Sequence, residues 1–155
     1  MTREISNHED LKRAFELVGK VFSEFVAVDY SERGKNTFES YLEKILQDIP
    51  GYLEAGNKKV WGYYQKGEII GVLAIRDTSH ISIMFVDKRY HRKGIAKKLL
   101  TAFLEELREN KEVKQITVNS SPYAVKIYEH LGFVKTGEQC EREDGIIFTP
   151  MMRFV

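Results

Sequence analysis

Three strand-like segments, Lys59 to Gln65, Glu68 to Arg76 and His80 to Asp87, follow one another with only Lys66-Gly67 and Asp77-Thr78-Ser79 between them. Each is rich in β-branched or aromatic residues and is bounded by turn formers. Links this short join antiparallel neighbours, because a parallel crossover needs about a dozen residues or more. The middle segment carries Ile69, Ile70, Val72, Leu73, Ala74 and Ile75, so it is apolar at nearly every position. Both of its faces must therefore be covered. The rest of the chain has to supply two layers for an antiparallel centre.

The flanks read as those layers. Ser6-Asn7-His8-Glu9 is a capping pattern, and Leu11, Phe15, Val18, Phe22 and Phe25 follow at helical spacing, predicting a helix to about Phe25. Asp29 to Asn36 reads as a polar connection. Asn36-Thr37-Phe38-Glu39 opens a second helix, with Phe38, Leu42, Ile45 and Leu46 on one face and Pro50-Gly51 as its stop. A short strand over Thr2 to Ser6 precedes both. Beyond the central strands, the pattern predicts a helix from Gly94 to Asn110, a strand from Lys114 to Asn119 and a helix from Pro122 to Leu131. Two strands around Asp144-Gly145 end the chain. The order β-α-α-β-β-β-α-β-α-β-β gives an α/β (α+β) class: a mixed, mostly antiparallel central sheet flanked by about four helices.

Composition narrows the function. A length of 155 residues suits a single domain spanning 1–155. Lys and Arg number 24 against 23 Asp and Glu, a net charge of +1, which excludes a nucleic-acid binder acting through bulk charge. The basic stretch Lys88 to Lys98 has no aromatic interleaving beyond Tyr90, so no nucleic-acid partner is expected. No apolar run approaches the roughly 20 residues that span a bilayer, and the N-terminus has no signal-type stretch. No membrane partner and a cytoplasmic location are the expectation. Cys140 is the only cysteine, which excludes an internal disulfide and a cysteine-cluster metal site. Glu141 and Glu143 beside it argue against an activated thiolate. His8 and His130 have no ligand spacing, and no metal is expected.

The stretch from Ile83 to Leu100 carries the chemistry: a strand, a short basic loop, then Gly94-Ile95-Ala96 opening an amphipathic helix. A helix N-terminus offers unpaired N–H groups and partial positive charge to an anion. Gly94 lets a ligand approach the backbone, and Ala96 keeps the first turn free of bulk. Lys88, Arg89, Arg92, Lys93, Lys97 and Lys98 surround it. The whole reads as a phosphate or pyrophosphate cradle. Neither dinucleotide-binding nor P-loop motifs fit, because Gly94 is the only glycine between Gly71 and Gly132.

His91-Arg92-Lys93-Gly94-Ile95-Ala96 resembles the [QR]-x-x-G-x-[GA] signature of the GNAT superfamily of N-acetyltransferases. His91 stands where Gln or Arg is usual, and Arg92 where Gly is common. Downstream, Ala124, Tyr128, Gly132 and Phe133 are similar to the family's A-x-x-x-Y-x-x-x-G-F segment. The resemblance extends over nearly the whole element order. It implies acetyl-CoA as co-substrate and an amine as acceptor, either a small molecule or a protein amine. A homodimer is compatible with it. The family's splayed strand, which holds the pantetheine arm by main-chain hydrogen bonds, matches Met84, Phe85 and Val86. Its pyrophosphate loop matches His91, Arg92, Lys93, Gly94, Ile95, Ala96 and Lys97. Ser121 stands where many members carry an Asn that contacts the cofactor. Read from the residues, Ser121-Pro122 is first a helix cap followed by Pro at the first position.

Acetyl transfer from a thioester needs a base for the ammonium, a donor for the developing oxyanion and an acid for the departing thiolate. Tyr128 matches the family's tyrosine that points at the CoA sulfur, and its ordinary pKa of roughly 10 suits it as that acid. The residues alone read Tyr128 as a tyrosine on the apolar face of a short helix. His80 lies where histone-type members carry a glutamate, and an imidazole with a pKa near 6.5 can act as the base. Glu24, Asp29 or ordered water are the alternatives. Glu24 and Asp29 also place acids on the expected acceptor side, which would suit a cationic amine. The competing reading is a catalytically silent acyl-CoA-binding or regulatory domain of the same fold.

Overall fold

The computed structural model describes residues 1–155. Thr2–Glu4 forms β1, and the closely linked strands are β2 (Lys58–Gln65), β3 (Glu68–Arg76) and β4 (His80–Val86). They pair antiparallel in that order, with Trp61 opposite Leu73 and Leu73 opposite Met84. β5 (Gln115–Ser120) joins β4 in parallel, the single parallel pairing of the sheet. β6 (Val134–Lys135), β7 (Cys140–Glu141) and β8 (Ile147–Phe154) follow, and the spatial order is β1-β2-β3-β4-β5-β8-β6 with β7 beside β8. The expected mixed, mostly antiparallel sheet is present. The C-terminal pair of strands resolves into three, because β8 is long enough to take β5, β6 and β7 as partners.

Both faces of β3 are covered, as its uninterrupted apolar run requires. Leu73 and Ile75 pack with α4 (Ile95–Leu107) and α5 (Val125–His130), in a core centred on Leu99, Leu100, Phe103 and Ile116. Val72 and Ala74 face the other way, into a core with Leu11, Phe15 and Val18 of α1 (His8–Val21). α2 (Glu32–Gln47) and α3 (Ile49–Glu54) complete that layer, so five α-helices flank the sheet where about four were expected. The additional one is α3. Asp48 accepts from Gly51 N–H and Pro50 occupies the first turn, so the proline that ends α2 also starts the next helix.

The connection between α1 and α2 departs most from the sequence reading. α1 ends at Val21 and widens into a π-helical turn, Phe22–Val26, followed by a 3-10 turn, Ala27–Asp29. α2 then starts at Glu32, inside the stretch read as a polar connection. Ser31 Oγ accepts from Gly34 N–H at 3.2 Å, so the helix is capped at Ser31 and not at Asn36. The early start is also held from outside. Thr37 donates to the Asp144 carbonyl, Tyr30 to the Ile147 carbonyl, and Gly34 lies so close to Gly145 that neither position has room for a side chain.

One irregularity shapes everything that follows. β4 and β5 are paired only at His80–Thr117 and Ile81–Val118. A bulge in β4 then shifts its register against β3, with Ile75 opposite Ile81 but Ala74 opposite Ile83. Past it the two strands part, leaving a wedge between them.

Candidate active site

The wedge opens into a cavity of about 500 Å³, bordered by Met84, Phe85 and Val86 on the β4 arm and by Tyr123, Ala124, Ile127 and Tyr128 on the other. Main-chain direction on β4 follows from one bond: Asp87 donates its N–H to the Ile70 carbonyl of β3 at 2.8 Å. By alternation, Phe85 also turns its N–H and C=O to β3, while Met84 and Val86 turn theirs toward the wedge. Of the three residues expected to offer main-chain groups, Met84 and Val86 are therefore so disposed. Phe85 turns its main chain to β3, and its side chain packs with the α1–α2 layer, near the Phe38 ring.

At the far end of the cavity stand the loop after β4 and the start of α4. Asp87, nearly fully buried, accepts from the Arg89 backbone N–H and clamps the Arg89 guanidinium, which fixes the turn Lys88–Tyr90. That guanidinium, with Lys20 nearby, holds the Asp87 carboxyl below the usual carboxylate range. Gly94 caps α4 at φ +76°, and the first intrahelical bond is Lys98 N–H to Gly94 C=O. The N–H groups of Ile95, Ala96 and Lys97 thus have no helical partner, and all three residues border the cavity. Arg92 also adopts a left-handed conformation, φ +63°, two residues before Gly94. This explains why glycine is common at that position of the signature.

The cationic cradle is smaller than the sequence suggests. Lys88 pairs with Glu24 at 3.0 Å, Arg89 with Asp87 at 2.9 Å, and Lys98 points at the Tyr63 hydroxyl. Lys93 lies over the Tyr90 ring. Arg92 and Lys97 remain at the cavity wall, with His91 and His130 beside them.

Tyr128 is 4% exposed and packs edge-on against Phe133 at 5.2 Å. Its hydroxyl takes no protein hydrogen bond, and burial alone pushes its pKa well above the ordinary tyrosine value. The hydroxyl stays protonated across the physiological range. Ser121 accepts from Ala124 N–H at 3.3 Å, capping the turn Pro122–Ala124, and does not border the cavity.

His80 lies in the first of the two β4–β5 pairs, one residue before the strands part, with Nδ1 2.8 Å from Thr117 Oγ1. It is outside the cavity lining. Burial, and then Arg76, lower its pKa, with Asp77 opposing, so the ring is neutral at neutral pH. Glu24 sits on the π-helical turn; one carboxylate oxygen pairs with Lys88 and the other is buried without a donor. Asp29 is exposed at the end of the following turn. The fold does not bring Glu24 and Asp29 to the cavity wall alongside Tyr128.

Neither Phe25 nor Tyr123 carries a functional signal in the sequence. Phe25 reads as one more apolar position on the first helix. The π-helical turn re-aims it against Tyr123 (5.3 Å, near-parallel) and His91 (5.2 Å). A π-turn has no residue signature of its own, so periodicity alone could not locate it.

A family model described as an acetyltransferase (GNAT) domain matches residues 26–153. The chain is 26% identical over 113 residues to the spermine/spermidine N(1)-acetyltransferase of Bacillus subtilis (strain 168), covering 64% of this chain and 74% of that protein. In fold it is similar to a GCN5-related N-acetyltransferase from Rhodopseudomonas palustris, with a TM-score of 0.80, 18% identity, and 100% and 95% of the two chains covered. It is also similar to the PaiA N-acetyltransferase of Thermoplasma acidophilum, solved with coenzyme A, at a TM-score of 0.73, 19% identity, and coverage of 100% and 99%. With the family model spanning most of its length, and the wedge and α4 start where the signature lies, the chain belongs to the GNAT family of N-acetyltransferases.

Proposed function

We propose that the protein transfers the acetyl group of acetyl-CoA to a primary amine by direct attack within a ternary complex, with Tyr128 as acid to the CoA thiolate. One observation carries the reading. A single cavity joins the unpaired main chain of Met84, the partnerless hydroxyl of Tyr128 and the open N-terminus of α4. These groups suit acetyl-CoA. The N–H groups of Ile95, Ala96 and Lys97, with Arg92 and Lys97 side chains, fit the pyrophosphate. Val86 and Met84 fit the amides of the pantetheine arm.

In this reading the Met84 N–H faces the thioester oxygen and holds the charge that develops there. The amine loses a proton to His80, directly or through water, then its nitrogen forms the bond to the acetyl carbon as the carbon–sulfur bond breaks. The Tyr128 proton goes to the departing sulfur, and the second proton, shed by the nitrogen once it is bonded to the acetyl carbon, returns directly or through water to the Tyr128 oxygen. The neutral state of His80 and the protonated state of Tyr128 support these roles. Ser121 acts as a cap. Glu24, with one buried oxygen lacking a donor, and Asp29 on the same connection are assigned to the positive charge of the acceptor. The spermine/spermidine activity of the Bacillus relative favours a small-molecule amine over a protein.

The test is free-thiol release from acetyl-CoA against a panel of polyamines, aminoglycosides, amino acids and peptides. Turnover with at least one amine, and none with the corresponding alcohol, is the expected result. Tight acetyl-CoA binding with no turnover on any amine would leave a binding domain in place of an enzyme.

A further inference from the structure

We propose that His91 is a positioning residue that holds the cofactor cleft at its working width before any ligand arrives. The inference rests on the reading that acetyl-CoA occupies the wedge. Past Ile81, β4 has lost its β5 neighbour, so one edge of Ser82–Val86 is unpaired beside an open cavity. An unpaired strand edge is free to bend or to take another partner. His91 supplies the missing bond. Its Nε2 lies 2.7 Å from the Val86 carbonyl, and since a carbonyl only accepts, Nε2 carries the hydrogen. Neutral and charged imidazole both keep that donor.

The ring does more than cap a carbonyl. Phe25 tilts onto it at 5.2 Å and stacks on Tyr123 at 5.3 Å with 26° between the planes. Tyr123 follows β5, so it belongs to the opposite arm of the wedge. Val86, His91, Phe25 and Tyr123 thus form a strut from one arm to the other, anchored in the middle by the π-helical turn. The strut fixes the separation of the arms and the orientation of the Val86 peptide, both of which the pantetheine chain would meet.

The test is direct acetyl-CoA binding by calorimetry, which needs no acceptor. His91→Ala is expected to raise Kd about tenfold, the preorganisation that one part-buried hydrogen bond provides. His91→Gln retains an N–H donor and is expected to recover most of that loss. Phe25→Leu and Tyr123→Leu keep apolar bulk but break the strut; each should weaken binding about threefold, and the pair should be non-additive. With saturating acetyl-CoA, KM for the amine should move much less than KM for acetyl-CoA. Should His91→Ala not fold, the two leucine variants decide. Unchanged acetyl-CoA affinity in the folded variants overturns the inference, as does failure of His91→Gln to recover any affinity. Wild-type protein that binds no acetyl-CoA would instead overturn the reading on which it rests.

Discussion

His80 Nδ1 and Thr117 Oγ1 lie 2.8 Å apart in the first of the two rungs that join β4 to β5, one residue short of where the strands separate. If the ring donates there through Nδ1–H, Nε2 is left without a proton, which is what a base needs. Burial lowers the His80 pKa below its ordinary 6.5, so kcat/KM for the amine is expected to fall on the acid side with a midpoint below that value. His80→Gln should remove this limb and lower kcat about 10²-fold, the usual worth of a general base. Stability has its own signature. Well above pH 6.5 both folded and unfolded rings are neutral and His80 contributes no pH dependence. Below it the unfolded chain takes the proton first, so stability falls until the pH passes the folded value. Thermal unfolding from pH 7 to 4 should show a shallower fall in His80→Gln, and identical curves would count against the shifted ring.

Tyr128→Phe separates catalysis from folding. The hydroxyl has no protein partner and Tyr128 borders the open cavity, so deleting it breaks no protein hydrogen bond and should leave stability nearly unchanged. Loss of the acid should lower kcat by about 10²-fold while acetyl-CoA affinity stays within about twofold. Because burial raises the Tyr128 pKa, any alkaline limb below pH 10 must belong to another group and should persist in the variant. A drop in melting temperature with unaltered kcat would return Tyr128 to a packing role.

The sequence made the centre of this fold legible because its signals were local. Short turns gave the antiparallel strands, and the strand-loop-helix around Gly94 gave the anion site. What stayed hidden depended on two distant pieces of chain. The wedge requires β4 and β5 to part after two residue pairs, and nothing in either strand's composition says where pairing stops. The early start of α2 depends on Gly34 meeting Gly145. Lys88 and Arg89 looked available to a phosphate, yet they are spent on Glu24 and Asp87, contacts that periodicity cannot anticipate.

Arg92 stands at φ +63°, where a residue with a side chain is strained by about 1–2 kcal/mol. Glycine would relieve that strain but cost about 0.5–1 kcal/mol in unfolded-chain entropy. Arg92→Gly should therefore stabilise the protein by roughly 0–1.5 kcal/mol in urea unfolding. The same change removes a cation from the cavity wall, so KM for acetyl-CoA should rise, and rise most at low salt where charge is least screened. Stabilisation accompanied by tighter acetyl-CoA binding would mean that the side chain obstructs the cleft.

Asp87 ties the end of β4 to the loop that follows. Its carboxylate is buried, but the Arg89 guanidinium it clamps is more than half exposed, so the pair is worth less than a fully buried one. Asp87→Ala is expected to cost about 1–2 kcal/mol, much of it from the lost cap on the Arg89 N–H. Since its folded pKa lies below the ordinary aspartate value of about 3.9, the charge-dependent part is fully present well above that pH. It is lost as pH falls from there through the folded value. Acid unfolding of the alanine variant should lack that component.

Gly71 sets how closely α4 approaches the sheet. It lies opposite Val86 in the β3–β4 register, and a Cβ there would come within 2.9 Å of Ile95 Cγ2 and 3.1 Å of Leu99 Cδ1. Ile95 is the first residue of α4, so this contact places the helix N-terminus that is assigned to the pyrophosphate. Gly71→Ala forces the helix outward or Ile95 off its rotamer, at a cost of about 1–3 kcal/mol. A helix moved by the width of a methyl group no longer aims its three free N–H groups at the same point. The expected outcome is a several-fold rise in acetyl-CoA Kd beyond anything the lost stability explains, measured well below the melting temperature. Removing that branch in the same chain, Gly71→Ala with Ile95→Leu, which has no Cγ2, should recover part of both effects. Recovery of stability without recovery of binding would show that α4 is held in place by some other contact.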